Sequence, residues 1–306
     1  MATANIIINL GAPCELSVGA AETFLLSFLS DPNVLPLPFP FRNLLAARIA
    51  KKRAAHYLET AKKTAINGVP PIYHYTKSLA AKVSELGVEN VCAAFQFGRD
   101  SLAEVVLLAR EECGASRFNF IPAYPQNSRS MTQSAKAAVK KCFGKRGADY
   151  KFLESYCGHS LYIEALAKSL ANADGDALLA SFHSVPVSQL RGSPYADECD
   201  KTASLLCEKI GRKNALVAWQ SKMGRGRWLE PQTVEILGKM ARRGVKRIDV
   251  VCPGFSCDCT ETLVEIAADA RDYFLEQGGG EFNYIPCLND SDMHAELFAK
   301  LFEEMK

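Results

Sequence analysis

The 306-residue sequence has no GxxxxGK[ST] loop. The segment GRGRWL (224–229) lacks the third glycine and the tight strand–helix turn of a dinucleotide fingerprint. Both absences argue against a nucleotide cofactor. No uninterrupted apolar run approaches the roughly 18 residues that a membrane-spanning helix needs. No Lys/Arg run is longer than KKR (51–53), and the net charge is only +2, so there is no electrostatic footprint for nucleic acid. KKR itself reads as a solvated helix face. No GxSxG elbow is present, which counts against a serine hydrolase. The eleven cysteines form no CxxC pair, and MATA runs straight into the apolar NIIINL with no room for a signal peptide. Scattered thiols without a secretion signal predict reduced cysteines and a cytoplasmic protein.

What is present is an ordinary globular composition, 48% hydrophobic and 23% charged, in a chain long enough for one large domain or two lobes. Apolar strand candidates recur at 5–10, 90–97, 117–123, 150–155, 177–182, 214–219, 247–252 and 282–286. Helical patterns fill most of the intervals, among them 75–86, 100–113, 128–142, 160–172, 196–210, 231–243 and 260–277. Near-continuous apolar strands alternating with helices predict an α/β fold of parallel sheets covered by helices. The spacing divides the strands into two sets, the first ending near Ala123 and the second beginning near Tyr150. No residue-level repeat accompanies that division. The segment 24–43 is apolar, but prolines at 32, 36, 38 and 40 forbid continuous helix after Ser30. It reads either as a loop tucked on the core or as an exposed apolar lip carrying Leu35, Leu37, Phe39 and Phe41.

In open α/β sheets chemistry gathers at the carboxyl ends of strands. Two such ends draw attention. SFHSVP (181–186) puts His183 just after an apolar strand. The loop after strand 247–252 carries Cys257, Asp258 and Cys259 and runs into a helix from about Thr260. Asp258 followed by Glu261 matches a capping box. Glu261, Glu265 and Asp269 recur every four residues and so stack on one helix face. They are either a solvated face with a capping glutamate or a carboxylate ladder that handles a cation or protons.

LLASFHSVPVS, WQSKMGRGRWLEPQT (219–233) and CPGFSCDCTETLVEI (252–266) closely resemble the ferrochelatases, which insert ferrous iron into a porphyrin. INLGAP, SFLSDPNV, YPQNSRSMT, GSPYADEC and YIPCLND follow in the family's order, so the resemblance spans nearly the whole chain. It implies two Rossmann-like lobes with a porphyrin cleft between them. The lobes would be 1–125 plus the returning helix 290–306, and 126–289. It implies His183 and Glu261 as the catalytic, metal-contacting pair facing each other across the porphyrin. Glu265 and Asp269 would relay metal or protons along a helix widened into π-type turns. It points to Trp228, in the matching GRWLEP segment, as a porphyrin contact, with Phe97 and Tyr124, which follow strands, as further candidates, and leaves His159 to a capping or core role. Cys259 stands where many members have a histidine, and NGVPP (67–71) replaces a GGSP turn.

Metallating a free-base porphyrin requires a group that accepts pyrrole protons, carboxylates that hold or pass on the cation, and an apolar slot for the ring. This chain has a candidate for each. The expected activity is insertion of Fe2+ into protoporphyrin IX, with no cofactor beyond the substrate iron. The chain ends in an amphipathic helix rather than a cysteine cluster, so no iron–sulfur centre is expected. Coproporphyrin or another tetrapyrrole is the alternative substrate, and a non-catalytic porphyrin- or haem-binding protein the alternative of a different class. Nucleic acid and nucleotide are not expected as partners, and peripheral membrane contact is expected through 35–41.

Overall fold

The computed structural model describes residues 2–144, 149–213, 215–224 and 226–306. Asn214, the first residue of one strand candidate, and Arg225 of GRGRWL lie outside the described residues, as do Met1 and 145–148. The chain forms two compact units, 1–154 with 290–306, and 155–289.

In the first unit β1 (Ala2–Gly11) is followed by α1 (Val18–Leu29), α2 (Phe41–Thr64), α3 (Pro71–Glu85), β2 (Val91–Phe97), α4 (Leu102–Cys113) and β3 (Ala115–Pro122). A single π-helical stretch, Arg129–Gln133, leads into α5 (Ser134–Phe143), and β4 (Asp149–Phe152) completes the sheet. The strands are parallel in the order β2-β1-β3-β4. Ile6, Ile7 and Ile8 are all fully buried, so β1 is covered on both faces, as an inner strand of a parallel sheet must be. β4 pairs with β3, so Tyr150 belongs to the first sheet and not to the start of the second. Local pattern marks a strand but does not say which neighbour it pairs with.

The proline-rich segment behaves as expected up to a point. Helix α1 stops at Leu29, and the chain is irregular through Pro40. Helix resumes at Phe41, earlier than the apolar pattern indicated, because no proline follows Pro40 in this region. The KKR run lies exposed on α2. Leu37, Phe39, Phe41, Leu44 and Leu45 are exposed, with Phe39 at 72% and Phe41 at 66%. In NGVPP, Asn67 and Gly68 both take positive φ, a tight turn, before Pro71 opens α3.

The second unit repeats the topology. Its elements are α6 (Ser160–Ser169), β5 (Ala177–His183), α7 (Tyr195–Ile210), β6 (Leu216–Gln220), α8 (Thr233–Arg242) and β7 (Arg247–Val251). A ten-residue π-helix, Glu261–Ala270, then continues as α9 (Arg271–Glu276) before β8 (Glu281–Ile285). The strand order is β6-β5-β7-β8, all parallel. Leu179, Ile248 and Val250 of the sheet pack with Leu237, Ile266 and Phe274 of the helices. His159 caps α6, its Nδ1 accepting from the Leu161 N–H at 3.3 Å, the capping role expected of it. The last helix, α10 (Asp292–Glu304), belongs to the first unit.

This topology sets up the site. From β5 the chain moves to β6 on one side, whereas from β7 it moves to β8 on the other. The neighbouring ends of β5 and β7 therefore send their loops apart, the arrangement that leaves room for a ligand in open α/β sheets.

Candidate active site

His183 is the last residue of β5 and sits in register with Gln220, the last residue of β6. It is half-buried. Its Nδ1 lies 2.7 Å from the carbonyl oxygen of Ser184. A carbonyl only accepts, so Nδ1 carries the proton, and Nε2 of the neutral ring is left with its lone pair. The backbone carbonyl of His183 accepts from the Tyr195 hydroxyl at 2.9 Å. Burial pushes that phenol well above its ordinary pKa, so it remains a donor.

The segment after His183 is held by the WQSKMGRGRWLEPQT stretch. Val187 N donates to Arg227 O at 2.9 Å and Leu229 N to Val185 O at 3.1 Å. Pro186 and Trp228 form an antiparallel bridge between these bonds. This short ladder brings the half-buried Trp228 to the loop that carries His183. Phe255, from the loop after β7, places its ring 6.4 Å from the His183 ring. Sequence reading passed over Phe255, because one aromatic in an apolar loop has no period to mark it.

The loop after β7 differs from expectation at its capping signal. No capping box forms at Asp258 and Glu261: the N-cap is Thr260, and it makes no side-chain cap. The Asp258 N–H donates to Asn289 Oδ1 at 2.7 Å instead. Its buried carboxylate accepts from Tyr284 Oη at 2.5 Å, Asn289 Nδ2 at 2.8 Å and Thr262 Oγ1 at 3.1 Å. Tertiary donors have outcompeted the local cap. A capping box does form elsewhere, at Ser101 and Glu104 of α4.

The ladder lies on the π-helix. Its i→i+5 hydrogen bonding widens each turn, and such stretches are frequent at functional sites. Glu261 and Glu265 are half-buried and Asp269 is exposed, so the row runs from solvent inward. Both oxygens of Glu265 are held by one residue, Ser221, through N–H to Oε1 at 2.6 Å and Oγ to Oε2 at 2.5 Å. Burial pushes the Glu265 carboxyl above its ordinary range. The Ser221 bonds pull the other way, as does the His183 ring when it carries a proton on both nitrogens, and Glu261 adds to the upward push. His183, Glu261 and Glu265 thus share one electrostatic neighbourhood.

Cys259 is half-buried, and its thiol is pushed well up by burial and then by the Glu261 carboxylate, so it is a neutral thiol near neutral pH. Among the described residues, no three His, Cys, Asp or Glu side chains are grouped closely enough to hold a metal ion. The other two expected ring contacts lie in the first unit. Phe97 is buried at the end of β2 with its ring edge-on to Phe28, and the half-buried Tyr124 donates its hydroxyl to Gln96 Oε1 at 2.8 Å.

The family model for ferrochelatase matches residues 2–306. The ferrochelatase of Herminiimonas arsenicoxydans is 38% identical, over 98% of this chain and 86% of that protein. The ferrochelatase of Marinobacter nauticus is 35% identical, over 98% of this chain and 85% of that protein. Among solved structures, SirB from Bacillus subtilis with Fe3+ superposes with a TM-score of 0.60 at 10% identity, covering 99% of this chain and 95% of that one. CbiX, the terminal enzyme for biosynthesis of siroheme in denitrifying bacteria, superposes with a TM-score of 0.56 at 14% identity over 99% of both chains. At those identities the two structures speak for the fold alone.

Proposed function

The chain belongs to the ferrochelatase family, lyases that insert metal into porphyrin, and from that premise we propose that it inserts Fe2+ into protoporphyrin IX to form protohaem. The observation that carries the proposal is a histidine with its Nε2 lone pair available, in register with Gln220. Gln220 itself donates to Glu261 O and is followed by the Ser221 that holds Glu265 in the row of carboxylates running to solvent. His183 takes up pyrrole protons at Nε2. Glu261 contacts the metal, and Glu265 and Asp269 hand on ions or protons along the helix face. Iron is the substrate here, and the mechanism calls for no resident cofactor. A free-base porphyrin is flat and apolar, and Trp228, Phe97 and Tyr124 are proposed as its contacts.

The exposed Leu37, Phe39, Phe41, Leu44 and Leu45 support protoporphyrin, with two vinyl groups, over coproporphyrin, with four propionates. They also support contact of a cytoplasmic enzyme with a membrane surface. Among the described residues no helix is long and apolar enough to cross a membrane. Anaerobic incubation of the pure protein with Fe2+ and either porphyrin, followed by absorbance, tests the proposal. Faster metallation of protoporphyrin IX is expected. Faster metallation of coproporphyrin would reassign the substrate, and binding without metallation would leave a porphyrin-binding protein.

A further inference from the structure

The end of β6 grips the acidic π-helix from outside. Gln220 is buried, at 2% exposure, and both ends of its amide are used. Its Oε1 accepts from Ser181 Oγ at 2.7 Å and from Cys252 Sγ at 3.5 Å, which ties β6 to β5 and to the residue after β7. Its Nε2 donates to the Glu261 carbonyl at 3.2 Å, at the first residue of the helix. The next residue, Ser221, turns into the left-handed region at φ 64°. That conformation is disfavoured for a residue with a side chain, and here it lets the amide and the hydroxyl face one carboxylate, that of Glu265.

We infer that Ser221 is a positioning residue for metal insertion: anchored by Gln220, it fixes the plane of the Glu265 carboxylate on the acidic helix. This inference rests on the reading of that helix as an ion- and proton-handling row. A carboxylate offers about four acceptor positions, and Ser221 occupies one on each oxygen. The carboxylate is thereby oriented by both ends while acceptor positions remain for an ion or a proton. A free glutamate of this length would rotate about its terminal bond and present no constant face. Outer partners of this kind orient the groups that meet a metal, and their loss typically costs tenfold or more in metal affinity.

The test is steady-state kinetics at varied Fe2+ under anaerobic conditions. The porphyrin is protoporphyrin IX or coproporphyrin, whichever the wild type metallates faster. Ser221→Gly keeps the N–H and is at ease at positive φ, so it removes the hydroxyl without adding strain. It is compared with Glu265→Gln and the double variant, with porphyrin binding and melting temperature measured alongside. KM for Fe2+ is expected to rise roughly tenfold in Ser221→Gly, with KM for porphyrin within about twofold and the melting temperature not lowered. In the Glu265→Gln background the same substitution should add almost nothing, since the serine acts through the carboxylate. Ser221→Gly with normal Fe2+ dependence beside an impaired Glu265→Gln would overturn the inference and leave the proposed function standing. Equal losses in both backgrounds would also overturn it. An unimpaired Glu265→Gln would remove the acidic-row reading and the inference together.

Discussion

The Nδ1 of His183 is 2.7 Å from the carbonyl oxygen of the very next residue, Ser184, and this contact dictates which ring nitrogen can act as a base. Ser184 is itself held in place, its N–H donating to Gln220 O at 2.7 Å and its side chain fully buried. The tautomer is therefore set by backbone and needs no acidic partner. His183→Ala should abolish metallation while leaving porphyrin binding within about tenfold, because the apolar contacts supply most of the binding. Absorbance assays and fluorescence titration check the two halves. Near-normal turnover in this variant would remove His183 from the mechanism.

The row of carboxylates makes a graded prediction. Glu261→Gln should cost most of kcat, whereas Glu265→Gln and Asp269→Asn should cost progressively less and act mainly through the Fe2+ dependence. The order follows the fall in burial from Glu261 and Glu265 to the exposed Asp269. Since no capping box forms at Glu261, a loss of kcat there cannot be put down to a lost cap. Unchanged kcat in Glu261→Gln would leave these carboxylates as a solvated helix face.

Glu265 also links function to stability. Its folded pKa is raised, chiefly by burial, so the native state keeps this proton to a higher pH than the unfolded chain. The site therefore favours the fold at low pH, and that contribution is lost as pH rises through the raised pKa. Glu265→Gln carries no such proton. Its melting temperature relative to the wild type should climb as pH rises above the ordinary glutamate range and through the raised pKa. A difference that is flat or falls with pH would contradict the burial argument.

The exposed segment predicts a variant that loses contact with its surroundings and not its fold. Phe39 and Phe41 are 72% and 66% exposed, so replacing both with serine should change stability by no more than about 0.5 kcal/mol per site. Porphyrin binding or association with lipid vesicles should weaken. A large drop in melting temperature with normal binding would mean that these rings serve the core.

Much of the fold was legible because it rests on local pattern. All eight apolar runs are strands, and His183 lies at a strand end as its place after ALLASF required. The apolar period of a strand and the prolines after Ser30 act over a few residues, so sequence alone determines them. Pairing and competition do not work that way. Nothing within DYKF says that β4 joins β3, and nothing in either half announces that the two sheets share one strand order. Asp258 and Glu261 have the spacing of a capping box, yet Tyr284 and Asn289, distant in sequence, take the Asp258 carboxylate. The hold of Ser221 on Glu265 spans 44 residues and depends on a left-handed turn that a serine does not advertise. Sequence named the groups proposed for the chemistry; their orientation was decided only by tertiary structure, because a buried polar group bonds to whichever donor folding brings closest.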